Sequence, residues 1–259
     1  MADTEAERAH QNLCDWTLWP HRIDPDARTL IESGIVAVAG PTDFPMARMA
    51  IQSDPTLSPA VWAERVDGFL TGNGSSACVY TRVGTDDALT EQMLQRGFVE
   101  LTTMPEMVCA AALEPRDPPA GVTVRFMSTP ADVTAYAQVA AEAFAHLMLP
   151  EAMTFEAINQ PGIYLADDCI VALAEIDGVV IAGAQAVLFA DGRGYVAWVS
   201  CADAARGRGL GDTVTRAVTN EAFRRGADLV TLEASQFGEH TYARMGYREI
   251  YRYRMLIRV

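Results

Sequence analysis

The run Arg206-Gly207-Arg208-Gly209-Leu210-Gly211 constrains this chain more than any other segment. An apolar stretch at residues 195–201 precedes it. Apolar residues that share one helix face follow it: Leu210, Val214, Ala217, Val218 and Ala222. The segment therefore predicts a strand, a glycine turn and a helix. Glycine permits positive φ, and the first N–H groups of a helix lack internal partners and carry partial positive charge, so the sequence predicts a cradle for a pyrophosphate.

Three phosphate-binding patterns compete for this run. A Walker A loop requires Gly-Lys-Ser or Gly-Lys-Thr at its end, whereas Gly211 is followed by Asp212. A dinucleotide fingerprint counted from Gly207 requires glycine where the chain has Asp212, although Glu233 stands where a ribose-binding acid is expected. The pattern Arg-x-x-Gly-x-Gly is satisfied by Arg206, Gly209 and Gly211. This third pattern fits best, and a nucleotide-binding oxidoreductase is kept as a less favoured alternative.

A second motif follows a strand-like run at residues 229–233. Tyr242, Gly246 and Tyr247 form the pattern Tyr-x-x-x-Gly-aromatic at the end of a short predicted helix, which Gly246 can end in a left-handed conformation. The two motifs in this order resemble the GNAT superfamily of acyl-CoA-dependent N-acyltransferases, and the resemblance covers residues 121–259. Ser235 departs from the family pattern, which often has asparagine there.

The resemblance implies an α/β (α+β) fold with a mixed, mostly antiparallel sheet flanked by helices. The predicted order of elements in residues 121–259 agrees with it: strand 122–126, helix 131–145, a hairpin of strands 170–175 and 179–189, strand 195–201, the phosphate helix, strand 229–233, the Tyr242 helix and a last strand. The resemblance also implies acetyl-CoA as the co-substrate. Its binding residues would be Val199, Ser200, Cys201, Arg206, Gly207, Arg208, Gly209, Leu210 and Gly211.

Catalytic roles follow from the same resemblance. Tyr242 is expected to act as the general acid, because a phenol with a pKa near 10 stays protonated at neutral pH. Glu233, at the end of a strand, is the first candidate for the general base, followed by His146 and Glu142. Phe144 and His146 belong to segment 144–151, which corresponds to the acceptor-binding loop. Cys201 is expected to be a structural strand cysteine, since no histidine is close to it in sequence.

Composition limits the partners. The chain has 259 residues, of which 50% are hydrophobic, and a formal net charge of −14. This charge argues against nucleic acid, and no apolar run approaches the roughly 20 residues that cross a bilayer. The first residues lack the features of a signal peptide, and the five scattered cysteines form no metal-binding spacing. We therefore predict a cytoplasmic protein without a metal site.

Residues 114–120 are rich in proline and predict a linker between two lobes, 1–113 and 121–259. In both lobes a helix, a glycine, an aromatic residue and a strand come last, with Gly97 and Phe98 matching Gly246 and Tyr247. The N-terminal lobe thus resembles a second GNAT unit, which predicts a tandem repeat. Prolines replace glycines where its phosphate loop should be, near residues 53–59. The first lobe is therefore expected to be degenerate.

These observations predict an N-acetyltransferase that transfers an acetyl group from acetyl-CoA to an amine by direct attack. The acceptor would be a small molecule or a protein N-terminus, and a homodimer is a further expectation. The alternative is a non-catalytic acyl-CoA sensor or scaffold, which the lack of a clearly readable base keeps open.

Overall fold

A computed structural model describes residues 4–71, 74, 76–147 and 149–259. These residues form two compact units. Unit 1 comprises the chain through Met107 together with Glu233–Gln236 and Glu249–Val259, and unit 2 comprises Val108–Leu232 and Phe237–Arg248. The domain boundaries drawn at residues 114–120 remain a prediction. The structure adds that the last strand of the chain belongs to unit 1.

The elements of the described residues are numbered along the chain. The helices are α1 Glu5–Thr17, α2 Trp19–Ile23, α3 Pro59–Leu70, α4 Asp87–Leu94, α5 Pro130–Ala145, α6 Glu151–Ile158, α7 Pro161–Tyr164, α8 Leu210–Arg224 and α9 Glu239–Met245. The strands are β1 Arg28–Glu32, β2 Ile35–Ala39, β3 Arg48–Gln52, β4 Ala77–Arg82, β5 Val99–Cys109, β6 Thr123–Phe126, β7 Cys169–Ile176, β8 Val179–Leu188, β9 Arg193–Cys201, β10 Leu229–Glu233 and β11 Arg248–Arg258. None of these helices combines the length and apolar character that crossing a membrane requires.

Unit 1 is built on strands in the order β1-β2-β3-β4-β11-β5. Neighbours from β1 to β3 are antiparallel, β3 and β4 are parallel, and β4 pairs with β11 in antiparallel fashion. The apolar face of α3 supplies Trp62, Val66 and Leu70 to a buried cluster with strand residues such as Ile35 and Val79. Helix α3 forms because Pro59 fits its first turn and apolar residues recur at helical spacing.

Unit 2 is built on strands in the order β10-β9-β8-β7-β6. The pairs from β6 to β9 are antiparallel, and β9 pairs in parallel with β10. A parallel neighbour requires a crossover connection, which α8 provides between β9 and β10. Helix α5 starts at a capping box formed by Thr129 and Asp132 and buries Tyr136 and Ala140 against β7. This arrangement confirms the predicted mixed, mostly antiparallel sheet flanked by helices.

Most predicted elements are confirmed, and the differences have local causes. Strand β10 has the predicted bounds. In unit 1, a capping box of Thr4 and Glu7 starts α1. Strand β1 was not predicted, because its two faces are mostly exposed and give little apolar signal. Helices α6 and α7 were also not predicted; they follow segment 144–151, of which Met148 lies outside the described residues.

Candidate functional site

The glycine run adopts the backbone conformation that the sequence predicts. Strand β9 leads through a short 3-10 turn at Asp203–Ala205 into the run and then into α8. Gly207 has φ 76° and Gly209 has φ 79°, a left-handed region that costs other residues roughly 1–2 kcal/mol. A Cβ atom built on Gly207, Gly209 or Gly211 would meet no atom within 4 Å. The glycines therefore leave open space beside the backbone, which a ligand could use.

The first turn of α8 presents backbone N–H groups as hydrogen-bond donors. The first hydrogen bond of the helix runs from the Thr213 N–H to the Gly209 carbonyl over 3.1 Å. The N–H groups of Leu210, Gly211 and Asp212 precede this bond, and the helix dipole adds partial positive charge there. The start of α8 therefore combines backbone donors with the open space that an anion such as a pyrophosphate requires.

Asp212 places a negative charge in the first turn of α8, but a nearby cation offsets it. The Arg216 Nε atom lies 2.8 Å from the Asp212 carboxylate, and the guanidinium also donates to the Glu114 carbonyl over 2.9 Å. Both side chains of this ion pair are largely buried. Asp212 thus has a structural partner within α8 and does not leave an uncompensated negative charge next to the cradle.

The predicted residues Arg206, His146 and Glu142 meet around Asp203. The Arg206 Nε atom and the His146 Nε2 atom lie 3.0 Å and 2.8 Å from the Asp203 carboxylate. The Glu142 carboxylate accepts from the Asp203 N–H over 2.9 Å, and Arg206 donates to the Ala143 carbonyl over 3.4 Å. These contacts join the end of α5 to the loop before α8. In this conformation the side chains of His146 and Glu142 bind Asp203 in the loop before α8. A role as the general base is therefore less favoured for both residues.

Strand β9 is irregular next to Val199, Ser200 and Cys201, which the sequence predicts to bind acetyl-CoA. Gln185 of β8 pairs with Ala197, and Gly183 pairs with Ser200, so β9 carries one extra residue in this interval. Such a bulge takes one residue out of the regular ladder and bends the strand. In the described residues, the parallel pairing with β10 runs to Tyr195 and Thr231, whereas β9 continues to Cys201. Val199 therefore lies in the distorted segment of β9, and Ser200 and Cys201 follow directly after it.

Tyr242 lies on α9, which ends at Gly246 with φ 116°, as predicted. The Tyr242 side chain is 9% exposed. Burial raises the pKa of Tyr242 to about 12, and the Thr215 side chain of α8 opposes this effect in part. The phenol is therefore protonated throughout the neutral range, as the sequence predicts for a general acid.

The Tyr242 ring is held from two sides. A Cβ atom on Gly238 would lie 2.6 Å from Cε2 of Tyr242, so only glycine gives the ring this space. On another side, the ring of Tyr247 packs edge-to-face at a centroid distance of 6.1 Å. The Tyr247 hydroxyl in turn forms a 2.7 Å hydrogen bond with Thr219, one turn after Thr215 on α8. Two threonines on one face of α8 thus face the two tyrosines of the second motif.

Glu233, the predicted base, is the last residue of β10 and belongs to unit 1, whereas Tyr242 belongs to unit 2. Burial raises the pKa of Tyr80 and Tyr251. The charges of neighbouring groups, Glu233 among them, raise it further by a smaller amount. The charge of Glu233 therefore acts on tyrosines of unit 1. Its role as a base remains a prediction.

Sequence reasoning missed three features of this site. Trp198 has φ 53°, although a tryptophan gives no sequence signal for a left-handed backbone. Tyr136, which lies within the predicted helix 131–145, donates its hydroxyl to the Trp198 carbonyl over 2.8 Å. Thr215 and Thr219 could have been noticed, because two hydroxyl residues spaced by four interrupt the apolar face of α8.

Comparisons with known proteins identify the class of this site. The sequence profile of the Acetyltransferase (GNAT) family matches residues 136–247, which include the bulge, the cradle and the Tyr242 motif. Residues 136–247 therefore match a GNAT acetyltransferase domain, which makes the protein an acyltransferase. The comparison with curated proteins gave no match.

Solved structures share the fold. A GCN5-related N-acetyltransferase from Kribbella flavida is 22% identical with a TM-score of 0.69, covering 95% of this chain and 94% of that one. One from Sphaerobacter thermophilus is 17% identical with a TM-score of 0.63, covering 99% and 93%. A tandem GNAT protein from the clavulanic acid biosynthesis pathway is 13% identical with a TM-score of 0.57, covering 86% and 77%.

Proposed function

We propose that the protein transfers an acetyl group from acetyl-CoA to the amine of a small molecule or a protein N-terminus. The observation that carries this proposal is the open cradle at the start of α8, in which Gly207 and Gly209 have left-handed backbones and no side chain fills the space. It lies in the same unit as the β9 bulge and Tyr242. An anion site, backbone donors and a protonated phenol are the groups that acyl transfer to an amine requires.

Each group has a distinct role in this proposal. Acetyl-CoA, when bound, supplies an activated thioester. The N–H groups of Leu210, Gly211 and Asp212 hold the pyrophosphate, and backbone N–H groups near residues 199–201 polarise the carbonyl. Tyr242 donates a hydrogen bond to the departing sulfur. Phe144 and His146 border the acceptor, and Glu233 is the first candidate to remove its proton.

Direct attack by the amine is favoured over a covalent intermediate on Cys201. Burial raises the pKa of the Cys201 thiol, although Arg206 opposes this effect. A thiolate is the nucleophilic form, so a raised pKa makes Cys201 a poor nucleophile at neutral pH. The five free cysteines, four of them buried, also support our proposal of a reducing, cytoplasmic location.

The decisive experiment is a thiol-release assay with acetyl-CoA against a panel of small amines and peptide N-termini. We expect amine-dependent release of CoA thiol with at least one acceptor class, and the same protein should bind acetyl-CoA in calorimetry. Binding without release for any acceptor would favour the sensor or scaffold alternative. Absence of acetyl-CoA binding would contradict both, and binding of NAD instead would revive the oxidoreductase alternative.

We also propose that unit 1 is a degenerate repeat without an acyl-CoA site. In its loop between β3 and α3, Pro55 and Pro59 have no N–H groups to donate. The Asp54 carboxylate accepts a hydrogen bond from the Thr56 N–H over 3.1 Å. This bond occupies the Thr56 donor, and the carboxylate adds negative charge to the loop. This loop therefore offers an anion fewer backbone donors than the start of α8 in unit 2.

Calorimetric titration should accordingly give one acetyl-CoA per chain. The Gly209→Val variant, which alters only the cradle of unit 2, should show no remaining site of similar affinity. A stoichiometry of two in the wild type, or one tight site left in the variant, would show that unit 1 binds acyl-CoA.

A further inference from the structure

The bulge in β9 holds Trp198 in an unfavourable conformation. With φ 53°, this non-glycine residue lies in the left-handed region, where a residue with a side chain is strained. The indole N–H is buried and has no hydrogen-bond partner among the described residues. The indole ring packs edge-to-face on Phe144 at 4.8 Å. The side chain therefore contributes packing, and the hydrogen bond to Tyr136 runs through the backbone carbonyl of Trp198.

That carbonyl is held by Tyr136 from α5. The Tyr136 hydroxyl donates to the Trp198 oxygen over 2.8 Å, and the Tyr136 side chain is fully buried. Burial raises the pKa of Tyr136 well above its usual value, so the hydroxyl remains a donor at any assay pH. Loss of this hydrogen bond would leave the Trp198 carbonyl without the partner that offsets the backbone strain at this residue.

The Tyr136 ring has little freedom to move away. A Cβ atom on Gly183 would lie 2.5 Å from Cδ2 of Tyr136, so the ring sits directly on the backbone of β8. Gly183 is also the residue at which the β8–β9 register shifts. On another side Tyr164 packs edge-to-face at 6.1 Å. The contacts at the bulge therefore connect Gly183, Tyr136 and Trp198 directly.

We propose that Tyr136 is a positioning residue for acyl transfer: by holding the Trp198 carbonyl, its hydroxyl keeps the bulge in the conformation that directs the next backbone N–H groups toward the thioester carbonyl. The inference rests on the proposed function. Helix α5 would then do more than pack the core, because Tyr136 on α5 would influence acyl transfer through its contact with β9.

Tyr136→Phe should lower kcat for thiol release about 10- to 100-fold, somewhat less than the 10²–10³ seen when an oxyanion donor is removed outright. The Kd for free CoA should stay within about twofold, because CoA has no acyl carbonyl and its pyrophosphate is bound at α8. Tyr164→Phe is the matched control: it removes a hydroxyl from the same buried cluster and should keep kcat within about twofold. Equal kcat for wild type and Tyr136→Phe, or an equal loss in Tyr164→Phe, would overturn the proposal.

A second arm tests the route through Trp198. Glycine adopts a left-handed backbone without strain, so in a Trp198→Gly background Tyr136→Phe should cost less than about threefold in kcat. An undiminished effect would show that Tyr136 acts by another route. Hydrogen exchange provides a readout independent of activity: the amides of residues 198–200 should exchange faster in Tyr136→Phe and not in Tyr164→Phe. Unchanged exchange would refute the inference alone, whereas a wild type inactive toward every amine would refute the proposed function.

Discussion

Gly209→Val should weaken acetyl-CoA binding at least about 100-fold. The valine side chain would occupy the open space next to the N–H groups that precede Thr213, where the pyrophosphate is expected. Charge-assisted hydrogen bonds contribute about 1.5–3 kcal/mol each, and 1.4 kcal/mol corresponds to a factor of ten, so loss of one or two such bonds gives this size. Calorimetry with acetyl-CoA measures the effect directly.

Strain must be separated from loss of the ligand contacts, because Gly209 has φ 79° and any other residue there is disfavoured. Gly226, just after the other end of α8, offers the matched control: its φ is 102°, and a Cβ atom there would also meet nothing within 4 Å. Gly226→Val should lower the melting temperature to a similar extent and leave the acetyl-CoA affinity within about threefold. Unchanged affinity in Gly209→Val would remove the cradle from the acyl-CoA site.

Tyr242→Phe should lower kcat by about 10- to 1000-fold while the acetyl-CoA affinity changes only a few-fold. General acid catalysis contributes about 10²–10⁴. With a pKa of about 12, Tyr242 is a weaker acid than an ordinary thiol near 8.5, so full transfer of its proton to a free thiolate would cost roughly 5 kcal/mol. Tyr242 is therefore expected to stabilise the leaving sulfur through a hydrogen bond, which favours the lower part of that range.

The same pKa fixes the pH dependence. A phenol whose pKa is about 12 keeps its proton at every pH below that value, so wild type should show no loss of kcat on Tyr242 ionisation between about pH 6 and 9. Tyr247→Phe is the control, since it removes the hydroxyl bonded to Thr219 at 2.7 Å and should leave kcat within about twofold. Equal kcat for wild type and Tyr242→Phe across this pH range would show that Tyr242 does not stabilise the leaving sulfur.

Local rules explain why much of this fold could be predicted. The capping box of Thr4 and Glu7 and the proline at the start of α3 act within one helical turn, so a short stretch of sequence is sufficient to place a helix. Strand β1 was not predicted because an exposed edge strand has little apolar pattern. The end of the chain was assigned by its position in the sequence, whereas β11 pairs with β4 through contacts that no local pattern encodes.

The sequence by itself determined the glycine cradle, the order of strand, loop and helix, and the glycine that ends α9. These features depend on φ angles and helix termini, which are properties of a few neighbouring residues. Only the tertiary structure decided that Tyr136 holds the Trp198 carbonyl, that Thr215 lies by Tyr242, and that His146 binds Asp203. Each of these contacts joins residues far apart in the chain, and their partners are chosen by packing between elements, for which a single sequence carries no periodic signal.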